Sequence, residues 1–480
     1  MKLPRKHIIM IATMAAGAAL SLSAITPTEV EAAVRAAKDA PKNQALNREA
    51  AEALKDAGRY EDAIAFYLKG GNSGNLGIAE SYFMLYDYDK AEEYLDKYLA
   101  KRTKAEEKND KEFSYGNGTE SIDWTDHLRS KIELGRSMLD RVEKIEVIDS
   151  INVPADEFLK YFRLAKSAGQ LVDESMVENI ISSDQSDALG ISNIWAPAYM
   201  SEAGDDIIWY GSTQDGDSKM FESTRLTDGS WDKPAPLFDY ASIFGNSNGS
   251  WVSYPFLMSD GITLYFAADG DSSLGELDIF ISRKDSDGFL QPSNIGMPYN
   301  SPFNDYLYAI DEQTGAGWWV TDRNQIPDSV TIYTFIPQDL RINYPVDTPD
   351  LIEYAKLSSI AMTQNGESDY DSLRKRIAEI SDNKSNGGER QFDFSLPTGK
   401  ILHSMNDFSN RQAASAMRDY LTVQATYAKL QSELANLRLQ YSKGEKSIGD
   451  RILSLEKETE VKKMDLRRLK NRVITLETGM

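Results

Sequence analysis

The sequence predicts a multidomain α+β protein, with helices first, repeated strand units in the middle and long helices at the end. Three observations predict it. Between Leu46 and Leu99 small and apolar residues recur at helical spacing. Around Tyr254 to Pro292 a strand–turn–strand unit stands between copies of itself. Beyond Arg411, leucines and isoleucines alternate by three and four along two arms.

At 480 residues the chain exceeds one ordinary core, and domains of roughly 100–200 residues suggest two to four units. Acid outweighs base, 75 Asp+Glu against 53 Lys+Arg, for a formal net charge of −22. That balance argues against nucleic acid or anionic lipid as a partner, because phosphate contacts need clustered Lys and Arg. The simplest reading is a solvated, self-repelling surface.

Residues 1–32 read as a secretory signal. Lys2, Arg5 and Lys6 form a basic head, Ile8 to Leu22 an apolar run, and Val30-Glu31-Ala32 a small-residue cleavage site that starts the mature chain at Ala33. Leu22-Ser23-Ala24 offers an earlier site, and an uncleaved membrane anchor is the alternative to cleavage. No later segment is apolar enough to cross a bilayer. Cysteine is absent, which leaves neither disulfides nor a lipid-bearing thiol. The expectation is a soluble periplasmic protein, held at a membrane only through a partner.

In residues 33–143, Ala50, Ala53, Leu54 and Ala57 share a helix face that Gly58 ends. Gly58-Arg59-Tyr60-Glu61-Asp62-Ala63 and its echo Tyr86-Asp87-Tyr88-Asp89-Lys90-Ala91 each place an aromatic before the alanine where two helices touch. The pattern resembles tetratricopeptide repeats, with a third copy around Leu128 to Val142; an ordinary helical bundle is the competing reading. The resemblance implies a concave face on which proteins or peptides dock.

Residues 144–408 carry the repeated unit. Ser259-Asp260-Gly261 supplies a positive-φ hairpin turn, Ile262 to Phe266 and Leu277 to Ser282 supply strands, and Ser286-Asp287-Gly288 the next turn. Copies run from Pro197 to Pro234 and from Tyr306 to Phe335. Trp209-Tyr210, Tyr265-Phe266 and Trp318-Trp319 hold equivalent places and read as packed core rather than a ligand box. The unit resembles a blade of the WD40-like, TolB-type β-propellers of the Gram-negative periplasm. The resemblance implies a ring of five or six blades. The strand Ile145 to Val153 and a hairpin about Pro397-Thr398-Gly399 are expected to close it, with a helix from Pro154 to Gly169 and a helical insertion near 350–381.

Residues 409–480 read as coiled-coil helices. Leu430, Leu434, Leu437 and Tyr441, then Ile448, Ile452, Leu455, Leu466, Leu469, Val473 and Leu476, form an apolar seam broken at 442–447. Two outcomes are open, an intramolecular hairpin or a homo-oligomer through 411–480. Glu456, Lys457, Lys462, Lys463, Arg467 and Arg468 read as a solvated face, with contact to an acidic partner as the alternative.

Catalytic chemistry is hard to assemble from this chain. Its 3 histidines are His7 in the signal, His127 among helical residues and His403 in a strand. Without cysteine a Cys/His zinc site is out of reach, and no nucleophile elbow, phosphate loop or dinucleotide fingerprint occurs. Asp205, Asp206, Asp260, Asp269, Asp305, Asp311 and Asp322 are the carboxylates that a glycosidase-like propeller could set across its channel. Most sit beside turns, where Asp is favoured for backbone reasons. Asp215-Gly216-Asp217 and Asp269-Gly270-Asp271 lack the full calcium loop and read as turns. No catalytic, cofactor-binding or metal-binding residue is therefore expected, and no cofactor.

The order of signal, tetratricopeptide-like helices and propeller is similar to that of exported PorE-type repeat proteins of type IX secretion, whose relatives often end in an OmpA-like domain. This chain ends in a coiled coil instead. The resemblance implies a non-enzymatic scaffold with protein partners in the envelope, periplasmic and peripheral to the outer membrane. A glycan- or peptide-binding module is the second reading and a carboxylate-dependent glycosidase or lyase the third.

Overall fold

The computed structural model describes residues 26–479 apart from 110–111, 114–121, 163, 182–184, 187–188, 214–217, 227, 239–250, 287, 339, 367, 383–391, 393, 397–400, 403 and 443–445. Residues 1–25 of the expected signal segment, Asp215 to Asp217, His403 and the turn Pro397 to Gly399 thus lie outside the described residues, whereas residues 27–32 of that segment are helical.

The chain is mixed α+β. Helix α1 (Pro27–Asp39) starts at Thr26, whose side chain forms a capping box with Glu29. Helices α2 (Gln44–Asp56), α3 (Tyr60–Tyr67), α4 (Asn72–Met84) and α5 (Tyr88–Leu99) follow, and each packs against the next. Gly58 ends the second of them at φ +70°. After the short helix α6 (Lys104–Asn109) and the paired strands β1 (Glu112–Phe113) and β2 (Ile122–Asp123), helix α7 (Trp124–Leu139) is capped by Asp123 and packs on α5. Small residues at the helix contacts, Ala51, Ala63 and Ala91, are completely buried.

Three antiparallel sheets follow. The first runs β4 (Gln170–Val172), β5 (Ile191–Met200), β6 (Asp206–Thr213), β7 (Ser218–Thr224) and β8 (Ala235–Pro236). The second runs β9 (Val252–Leu257), β10 (Thr263–Ala268), β11 (Asp278–Arg283) and β12 (Ser293–Asn294). The third runs β13 (Asp305–Asp311), β14 (Ala316–Thr321) and β15 (Ser329–Ile336), and its fourth strand is β3 (Glu146–Pro154), brought back from before the first sheet to pair with β15. Strand β9 sits between β5 and β13. Where these leading strands meet, the Tyr254 ring touches those of Phe158, Tyr210 and Tyr306. Tyr254 itself has φ +55° beside a register shift between β9 and β10. The aromatic pairs on the second strands are core: Trp209, Tyr210, Phe266, Trp318 and Trp319 are all buried. Gly261 takes φ +67° in its hairpin turn, where the Asp260 carboxylate accepts the amides of Ile262 (2.7 Å) and Thr263 (2.8 Å).

Several expectations are corrected. Among the described residues the strands form three sheets of four or five strands, and no closed ring of five or six blades is seen. The stretch from Pro154 to Gly169 holds only the short 3₁₀ turns Phe158–Tyr161 and Lys166–Ala168. Its apolar residues Phe158, Phe162 and Leu164 plug the space beside the leading strands rather than lining a helix face. Strands β16 (Phe394–Ser395) and β17 (Ile401–Leu402) pair only with each other. They join none of the three larger sheets, because Phe394, Leu396 and Leu402 bury themselves against Met417 and Val473 of the C-terminal helices. The stretch 350–381 holds α9 (Leu351–Lys356) and α10 (Tyr370–Asp382), with the turn between them bonded to Val147 of β3.

Helices α11 (Arg411–Ser442) and α12 (Gly449–Thr478) form an antiparallel hairpin. Ser409 and Asn410 donate to Glu477 at its base, and Arg451 pairs with Glu433 at 2.7 Å nearer the tip. Leu434, Ile452, Leu455 and Val473 of the predicted seam are buried between the two helices, which selects the hairpin for that seam. Among the described residues no helix is long and apolar enough to cross a membrane.

Candidate functional site

The residues with the most unusual chemistry converge where the helices meet the sheets. Helix α7 presents Leu128, Ile132 and Met138 to a core shared with Leu274, Met297 and Phe303 from the sheet loops. On the same apolar face stands Lys131, only 5% exposed. Its ammonium donates to the carbonyl oxygens of Gly270 (3.2 Å), Gly275 (3.4 Å) and Ser273, and to the Ser273 hydroxyl (3.1 Å). The loop between β10 and β11 is thus wrapped around a protein cation. From its other side the Asp278 carboxylate accepts the amides of Leu274 (2.8 Å) and Gly275 (2.9 Å). Gly275 is required by close approach: a Cβ there would lie 1.9 Å from the Phe303 carbonyl oxygen.

A second buried cation lies at the same end. Arg323 donates to Asp305 at 2.9 Å and to the carbonyls of Pro298 (2.8 Å) and Tyr299 (2.6 Å), with both side chains of the ion pair almost wholly buried. Tyr86, from the turn between α4 and α5, is buried beside this pair, and the Ser301 hydroxyl donates to Asp305 at 2.7 Å. Asp322 accepts from the amide and side chain of Asn304 and from the Tyr306 hydroxyl.

Burial sets the electrostatics. Glu276 is pushed up to about 8, by burial first and then by the charges of Asp322 and Asp269, so it is protonated at neutral pH. Asp278 rises to about 6 through burial against its own hydrogen bonds. Burial lowers Lys131 to about 8 although Asp278 and Asp269 pull it upward. His127, buried beside Lys131, falls to about 3 and is neutral. Because Glu276 titrates higher folded than unfolded, its contribution is fully present below its ordinary 4.5 and is lost as pH rises through about 8. Glu276→Gln is therefore expected to leave stability at pH 4 unchanged and to raise it by about 1–2 kcal/mol at pH 8.5. Urea denaturation at the two pH values checks this, and equal effects at both would refute it.

The structure does not set the sequence's aspartates across a channel. Asp205 accepts from Ser201, Asp206 from Thr224, Asp260 from its own hairpin turn, and Asp311 from Ala165 and Gln313. Asp269 accepts the amide of Trp251, while Asp305 and Asp322 belong to the seam. The loop containing Asp269-Gly270-Asp271 turns its carbonyls to Lys131, where a calcium ion would otherwise need them. Among the described residues no group of three His, Asp or Glu is arranged to hold a metal.

Sequence reasoning missed Lys131, Glu276, Asp278 and Arg323. For Lys131 a signal existed: it lies among Leu128, Ile132, Gly135 and Met138, on the helix face that is buried. A lysine in that stripe needs acceptors from a neighbouring element.

One open cleft of about 320 Å³ lies between α8 (Glu174–Ile180) and β5, lined by Glu178, Ile181, Ser192, Asn193 and Trp195. The Trp195 indole donates to the Ser212 hydroxyl at 3.2 Å.

Comparisons with known protein families, with characterised proteins and with solved structures find no match to this chain.

Proposed function

We propose that the chain is an exported, non-catalytic scaffold of the bacterial cell envelope, periplasmic and peripheral to the outer membrane. Its helices act as tetratricopeptide-like repeats that dock protein partners, and its sheets act as a propeller-type support. The observation that carries this reading is the seam: a mixed apolar core, a caged lysine and a buried ion pair join helices to sheets, as a rigid presenting surface requires. The carboxylates that hydrolysis would need are engaged in turns and pairs, which supports a non-enzymatic role. Val30 is buried in the helical core and Thr26 caps its helix, so cleavage after Ala24 rather than before Ala33 keeps that helix whole.

A glycan- or peptide-binding role is the second reading, favoured by the cleft that combines Trp195, Asn193 and Glu178. Copurification from a cross-linked envelope, followed by mass spectrometry, separates the two. The scaffold reading expects a reproducible set of envelope proteins, whereas recovery of polysaccharide alone would replace it with the second.

A further inference from the structure

Helix α12 carries a second apolar stripe that the hairpin does not cover. Leu453, Val461 and Met464 are 58%, 50% and 57% exposed. At about 100° per residue they fall within an arc of roughly 80°, turned well away from Ile452, Leu455 and Val473, which face α11. The stripe has coiled-coil spacing through Val461 and Met464, with Leu453 at its edge: Asp450, Ser454, Lys457, Val461, Met464 and Arg468 follow one another by four and three. It also stays open alongside the body of the protein. Arg467, on a neighbouring face, donates to the backbone oxygen of Asp260 at 2.6 Å, while the Arg468 side chain is 77% exposed and pairs with Asp465 of its own helix at 2.9 Å.

We infer that this stripe pairs with the same stripe of a second copy, antiparallel, about a two-fold axis near residue 459. Charge selects the occupant and its direction. Asp450 ends the stripe on one side and Arg468 on the other, 18 residues or about 27 Å apart. Antiparallel pairing sets each Asp450 against the other copy's Arg468, brings Leu453 beside Met464, and lays Val461 along the aliphatic stem of Lys457. Parallel pairing would oppose Asp450 to Asp450, Lys457 to Lys457 and Arg468 to Arg468. A two-fold axis makes every contact occur twice, the isologous arrangement most homodimers use. The contact involves one face of one helix, so the dimer is weak, with a Kd on the order of micromolar to tens of micromolar. This dimer does not depend on what the envelope partner is.

The test is sedimentation velocity of the mature full-length chain over a concentration series, with circular dichroism to confirm folding. A monomer–dimer equilibrium is expected. Val461→Glu with Met464→Glu should abolish it, and Asp450→Arg alone should weaken it at least about tenfold. The combination Asp450→Arg with Arg468→Asp should restore it, because only self-pairing in the antiparallel sense re-forms the exchanged contacts. A monomer at all concentrations, or a dimer indifferent to these changes, overturns the inference. So does a monomer that binds phosphatidylglycerol vesicles through Val461 and Met464, which would assign the stripe to a lipid surface.

Discussion

Asp305→Ala is expected to lower the stability of the protein by about 3–5 kcal/mol, among the largest effects of any single substitution. Asp305 is fully buried and is the only carboxylate that pairs with Arg323 among the described residues, at 2.9 Å. Alanine would leave the guanidinium bonded to the carbonyls of Pro298 and Tyr299 but without a counter-charge. It would also strip the Ser301 hydroxyl of its acceptor. Most of the loss comes from the stranded charge rather than from the missing attraction, so the double variant Asp305→Leu with Arg323→Met should recover a large part of it. Urea denaturation of Asp305→Leu, of Arg323→Met and of the double forms the cycle. A loss under about 1 kcal/mol for Asp305→Ala would mean that the pair is solvated and that the seam is looser than its geometry.

That pair also shows what the sequence concealed. Strands were legible because alternation and turn chemistry are local: Asp260-Gly261 announces a hairpin, and Trp318-Trp319 a buried strand. The helices were legible for the same reason, through small residues at helical spacing and Gly58 as a stop. Thr321-Asp322-Arg323 is the polar stretch that ends and follows β14, and nothing nearby in the sequence says that Arg323 turns inward to Asp305. The partners of Lys131 lie about 140 positions away, the backbone carbonyls of an acidic loop whose aspartates read equally well as turn residues. Contacts of that range arise from packing one domain on another, and local periodicity does not encode them. Closure was misjudged in a similar way. β3 pairs with β15 by an extended edge, whereas Phe394 and Leu402, equally strand-like, found a better apolar partner in Met417 and Val473. The arm was legible as two helices, but one seam could not reveal that the other face of α12 stays bare.

Lys131→Met is the sharper probe of whether helices and sheets act as one body. Methionine keeps the length and apolar stem of lysine, so the contacts of α7 with Leu274 and Met297 need not change. What disappears is the donor that faces the carbonyls of Gly270, Ser273 and Gly275. The carbonyls of Gly270 and Gly275 keep the Ser273 hydroxyl, so the loss falls on the buried Ser273 carbonyl and is expected to cost about 1–3 kcal/mol. The location of the effect is as informative as its size. Hydrogen exchange should quicken at the amides of Leu274 and Gly275, which bond to Asp278 in the same loop, and stay unchanged at Ile262 and Thr263 in the distant hairpin turn. The pH response adds a sign that packing alone would not give. Lys131 titrates at about 8 in the folded protein against an ordinary 10.5, so between these values the unfolded chain holds more protons and this group makes stability rise with pH. In Lys131→Met that rise should vanish. If the variant keeps both its melting temperature and its protection at Leu274 and Gly275, the ammonium does not hold the loop, and the helical layer is attached to the sheets by apolar contact alone.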